Sequence, residues 1–149
     1  MIQRKQTIFL LLALVATTVC LMLNIGHFEP EGMGVSKLMN NLYVKDVPMS
    51  AFNYALFFVL VLTCPITLWA IFAYKNRKFQ ARLCVVNILL ALAWTVLYAI
   101  YGFVVGIPGM IFHPEFAACL PLVAIILYIL ARKGILDDEK LVRAADRIR

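Results

Sequence analysis

Two histidines, His27 and His113, each lie two residues from a glutamate, Glu29 and Glu115. Imidazole and carboxylate together ligate divalent metals, provided that the two segments meet in space. Two imidazoles without a third make a thin ligand set, and the plainer reading is polar residues at the ends of apolar runs; no metal or cofactor is expected. The other reactive groups are Cys20, Cys64, Cys84 and Cys119. None forms the C-x-x-C pair through which a thiol oxidoreductase cycles. Cys20 and Cys119 fall at similar depth in two apolar runs, where a structural bridge is one option and free thiols packed as small apolar groups the plainer one. A third group is polar residues within apolar sequence: Thr63, Cys64, Pro65 and Thr67 in one run, Asn87 in the next and Pro121 in the last. Pro65 and Pro121 each remove a backbone hydrogen bond and are expected to kink their helices, with nearby hydroxyls serving the carbonyl freed by Pro65. Pro65, Thr67, Asn87 and Pro121 are then placed to frame an intramembrane cleft. No glycine-rich phosphate loop, nucleophile elbow or H-E-x-x-H motif occurs, so no enzyme is expected.

The elements that position these residues are long apolar helices. Hydrophobic residues make up 64% of the 149, and charged residues only 15%. A soluble domain is about half apolar and about a quarter charged, so the composition is that of a membrane protein. Spans are expected at about 7–25, 51–74, 83–105 and 116–131, none containing Asp, Glu, Lys, Arg or His. A helix crosses the hydrocarbon core in about 20 residues, so the last is short. The first follows "MIQRKQ" and resembles a secretory signal, but Thr17, Thr18 and Val19 before Cys20 do not make a cleavage site. It is expected to be an uncleaved signal anchor.

The chain carries a net charge of +6, and its location matters more than its size. Of the 14 basic residues all but Lys37 and Lys45 fall at the N-terminus, in the loop 75–82 or in the tail 132–149. Cations are retained in the cytoplasm, which predicts both termini inside, with loop 26–50 and the loop before the fourth span outside. The fold class expected is therefore all-α: an integral four-helix bundle of the bacterial inner membrane, up-down-up-down, as a single domain. Loop 26–50 is expected to form a small outer cap, a short hairpin or helix broken by Pro30 and Pro48. Trp69, Tyr74, Tyr98 and Tyr101 fit interfacial aromatic belts.

The cluster Lys75, Arg77, Lys78 and Arg82 in "YKNRKFQAR" is first of all a topology signal. With Arg143 and Arg147 it also marks a surface for anionic headgroups or for a partner. In the tail, "LDDEKLVRAADRIR" reads as a separate amphipathic cytoplasmic helix. Asp137 is its expected cap, Leu136 and Leu141 a hydrophobic staple, and Glu139–Arg143 an i,i+4 pair. Its apolar face is Leu141, Ala144, Ala145 and Ile148. The spacing of Gly102 and Gly106 in "GFVVG" permits close helix approach, within the chain or in self-association. The positive charge is explained by topology, and nucleic acid is not expected as a partner.

Three segments, "MIQRKQTIFLLLA", "YKNRKFQARLCVVNILL" and "DDEKLVRAADRIR", resemble a family of small four-span inner-membrane proteins found mainly in Bacteroidota. That family is catalogued as the domain of unknown function DUF4293. The resemblance implies location and topology, and brings no catalytic residues with it. Taken together, the residues lead to a non-enzymatic accessory or interaction subunit of a membrane complex, in contact with membrane lipids and a membrane-protein partner. The alternative is a small transporter or flippase for an apolar or lipidic solute.

Overall fold

A computed structural model of the chain describes residues 3–48, 51–74 and 76–147, with side chains described for 5–48, 51–74 and 76–144. Four helices account for most of it: α1 (Gln3–Met22), α2 (Ala51–Phe72), α3 (Arg77–Ala99) and α4 (Leu120–Arg147). All four are long and apolar enough to cross a membrane, α3 together with the π-helical turn Ile100–Val105 that extends it. Each helix packs on the next, and α4 returns to α1, closing a ring of four. Pairings between opposite helix ends make neighbours antiparallel: Gln6 of α1 meets Asp138 of α4, and Lys78 of α3 meets Glu139 of α4.

The sorting of side chains is that of a membrane bundle. Buried positions are held by small or polar residues such as Ala13, Thr17, Thr63, Thr67, Ala70, Ala81, Ala91, Ala124 and Ala131, while Ile8, Leu11, Phe58, Leu89 and Ile126 point outward. Water would impose the reverse. In lipid, large side chains gain nothing by turning inward, and small ones let helix backbones approach. Along α2 the buried residues Asn53, Leu56, Leu60, Thr63, Thr67 and Ala70 recur every three or four positions, which is one helix face.

At the end of the bundle away from the basic residues sits a sheet that the apolar pattern does not announce. Strands β1 (Gly26–Pro30), β2 (Lys37–Met39) and β3 (Met110–Pro114) pair antiparallel in the order β2-β1-β3. The expected hairpin in loop 26–50 is present as β1–β2, and the segment before α4 adds a third strand to it. Asp46 adopts φ 59°, the left-handed region open to Asp in tight turns. The sheet rests on the helix ends through Phe28, Met39 and Phe112, which share one buried cluster with Leu56, Leu60, Trp94, Tyr98 and Tyr101. Tyr98 and Tyr101 are therefore core residues, not belt residues, and the Tyr98 hydroxyl donates to the Ile25 carbonyl at 2.6 Å. Trp69 and Tyr74 do face outward, as a belt requires.

Several local expectations are corrected. Gly102 lies under the Phe112 ring, so the close approach it permits within the chain is met by a strand and not a helix; Gly106, at φ +46°, ends the π turn. Pro121 occupies the first turn of α4, where no intrahelical N–H is needed, and starts the helix instead of kinking it. Pro65 is inside α2, but the neighbouring hydroxyls go elsewhere: Thr63 donates to Leu60 O at 2.6 Å and Thr67 to Thr63 O at 2.7 Å. The carbonyl freed by Pro65 is that of Val61, four residues back. Asp137 caps nothing, because α4 runs unbroken through it to Arg147. The tail is the last part of the fourth helix, not a separate one. All four cysteines are free.

Candidate functional site: the basic end of the bundle

Three groups of chemistry-bearing residues were singled out from the sequence, and the fold treats them differently. The cap-end group is assembled. Register places His27 opposite His113, their rings stacked with centroids 5.4 Å apart. Glu115 Oε1 lies 3.2 Å from His27 Nδ1, while Glu29 reaches His27 Nε2 at 3.4 Å and His113 Nε2 at 3.5 Å. Among the described residues no three such groups converge as metal ligands. The four instead form a chain of imidazole–carboxylate contacts along the outer face of the sheet.

The intramembrane group is split. Thr67 and Asn87 do meet: Asn87 Nδ2 donates to Thr67 Oγ1 at 3.1 Å, and the Tyr128 hydroxyl lies 2.7 Å from the same oxygen. All three are fully buried. Pro65 faces outward from α2, and Pro121 is at the start of α4, so neither borders these two. What stands in place of a cleft is a closed hydrogen-bonded layer joining α2, α3 and α4, with Asn87 Oδ1 buried and unpartnered among the described residues. Tyr128 was not visible as a member because a lone tyrosine in an apolar helix reads as packing. Interhelical hydrogen bonds of this kind contribute about 0.6 to 2 kcal/mol in membrane proteins. Tyr128→Phe is expected to lower stability within that range without altering the fold, as measured by denaturant titration in detergent micelles. Unchanged stability would show that Thr67 finds an equal partner.

The basic end gathers most of the rest. Ala73 and Tyr74 form a turn after α2, and Asn76 caps α3 by accepting from the Phe79 N–H at 3.3 Å. That cap sets Arg77, Lys78 and Arg82 on the first two turns of α3, against the last part of α4. Arg77 Nη1 donates to the Asp138 carbonyl at 3.0 Å. Lys78 Nζ is 3.9 Å from Glu139 Oε1, and Arg143 Nη2 reaches the same oxygen at 2.6 Å. The expected Glu139–Arg143 pair is thus present, with Lys78 as its third member. Lys75 lies outside the described residues; Arg147 is in the last turn of α4, its side chain outside them too. A groove of about 440 Å³ runs between Asn76, Arg77, Lys78, Glu139, Val142 and Arg143.

Two residues of this end were not legible as partners. Asp138, in an acidic run that looks solvated, is buried and accepts from Gln6 Nε2, itself buried. Gly134 allows that approach, since a Cβ there would lie 3.1 Å from Gln6 Cγ. With Ile135 also fully buried, α4 is fastened to α1 for a turn and a half beyond Arg132. Among the described residues the geometry offers cations at defined positions and one carboxylate that ties two of them together.

No curated protein matches the chain. A family model does, over residues 2–148, and by that match the chain belongs to the family described as "Domain of unknown function (DUF4293)", as a multi-pass membrane protein with four apolar helices.

Proposed function

We propose that this protein is a non-enzymatic accessory subunit of a bacterial inner-membrane complex, with both termini in the cytoplasm, and that its partner docks on the basic end. One observation carries this reading: α4 outlasts the bundle that holds it. Among its described side chains the last buried one is Asp138. Beyond it Leu141 and Val142 are 60% and 46% exposed, beside Arg143 and the groove over Lys78. Exposed apolar side chains are ordinary where a helix faces lipid. Leu141, however, lies about 13 Å along the helix past Arg132, at 1.5 Å per residue, and past the acidic run Asp137–Glu139. At that height the surroundings are aqueous, and an apolar pair ringed by charge is the signature of a contact surface.

The transporter alternative has less support, because Thr67 and Asn87 bond to one another in a closed layer that Pro65 and Pro121 do not line.

The test is purification of the tagged full-length protein from its native membrane in mild detergent, with quantitative mass spectrometry. A partner at fixed stoichiometry is expected. Leu141→Asp with Val142→Asp should reduce its recovery at least about tenfold, as loss of a central apolar contact does, while the protein remains monodisperse. Truncation after Lys133 is unsuitable, since it removes the buried Ile135 and Asp138. A solitary protein, or an unchanged partner in the double variant, would overturn the proposal.

A further inference from the structure

We infer that the groove between α3 and α4 at the basic end holds the phosphate of an anionic membrane phospholipid. This stands apart from the docking proposal, and needs only that the bundle crosses a bilayer. The groove, about 220 Å³, is lined by Lys78, Arg82 and Val85 from α3 and by Arg132, Leu136 and Glu139 from α4. Glu139 is its only carboxylate, and Arg143 holds it at 2.6 Å while Lys78 stands 3.9 Å away. Arg82 and Arg132 form no salt bridge among the described residues, although antiparallel packing puts them on the two walls of one groove. Two guanidiniums on the walls of one groove offer an anion donors from both sides, and a phosphate accepts from them in the fork geometry that arginine provides.

The source of that phosphate follows from what lies deeper. One and two turns beyond Arg82 on α3 are Val86 and Leu89, and three residues before Arg132 on α4 is Ile129; all three are exposed apolar side chains. A cationic mouth at headgroup height therefore opens onto an apolar lane at acyl-chain depth. A soluble phosphate ester would use the mouth alone. A phospholipid uses both, and basic pockets between membrane helices at this height take anionic headgroups.

The full-length protein would be reconstituted in equal parts of phosphatidylglycerol and phosphatidylcholine, extracted mildly, and its retained lipid read by native mass spectrometry. Phosphatidylglycerol is expected in about thirtyfold excess, the scale that two cations near a headgroup give. Arg82→Gln with Arg132→Gln should bring the two lipids to parity. Arg82→Lys with Arg132→Lys, which keeps the charge, should retain the preference, as should the charge-matched pair Lys133→Gln with Lys140→Gln outside the groove. Parity in the unaltered protein would overturn the assignment, as would equal loss in the charge-matched pair. Displacement of the bound lipid by glycerol 3-phosphate or inorganic phosphate would overturn the lipid source in favour of a soluble ester.

Discussion

Gly102→Val should unseat the cap from the bundle. A Cβ at Gly102 would fall 2.3 Å from Phe112 Cε1, and one at Gly26 would fall 2.7 Å from Phe112 Cε2. The ring thus occupies a slot walled by two glycines, one at the end of α3 and one at the start of β1. Nor can it swing aside, because Phe28, Tyr98 and Phe103 surround it with centroids at 5.0, 5.6 and 5.5 Å. Overpacking a filled core costs about 1 to 3 kcal/mol, and a branched side chain against a ring held on several sides belongs at the upper end. Denaturant titration in micelles, with Trp94 fluorescence as the local reporter, should show a loss of about 3 kcal/mol. Adding Phe112→Ala should recover part of it, since the two changes share one space. Wild-type stability in Gly102→Val would mean that the ring has room to leave.

Asn41→Leu is the second large effect, and its cause is polar. Asn41 is almost fully buried, donates Nδ2 to the Cys20 carbonyl at 2.6 Å and accepts from Trp94 Nε1 at 3.0 Å. Cys20 belongs to the last turn of α1, whose carbonyls have no partner further along the helix. A single side chain in the cap loop therefore closes the end of one helix and satisfies the indole of another. Leucine fills the volume but orphans both groups, at about 1 to 3 kcal/mol for each. A loss of about 2 to 6 kcal/mol is expected. Trp94→Phe should cost less on that background than in the unaltered protein, because the indole donor is by then already unpaired. Full additivity of the two losses would disprove the shared contact.

The four spans were legible because lipid imposes one condition on every residue of a helix, and apolar length alone records it. The cap was only half legible. "GHFEP" and "MIFHP" are short and proline-ended, and neither strand carries a repeating pattern of its own. Their pairing is decided by Phe28 and Phe112 settling on the helix ends, a tertiary cause that a local window does not contain. The tail was misread for a related reason. Asp137 looks like a cap, but the deciding contact is that of its neighbour Asp138 with Gln6, at the other end of the chain. Polar residues within the spans were correctly seen as exceptional. Whether they face a cleft or one another depends on helix rotation, and Tyr128 settles it for Thr67 and Asn87.

The order β2-β1-β3 has a consequence for assembly. Strand β1 follows the first helix, yet its second neighbour arrives only after α2 and α3; His27 and its contact Glu115 are 88 positions apart. Until then β1 presents a bare edge, with unpaired N–H and carbonyl groups open to any other strand. Closure of the sheet is thus a late and non-local event, with only the docking of α4 on α1 joining more distant parts of the chain. It needs α2 and α3 in place first, so a closed cap reports on the first three helices and leaves the fourth to follow.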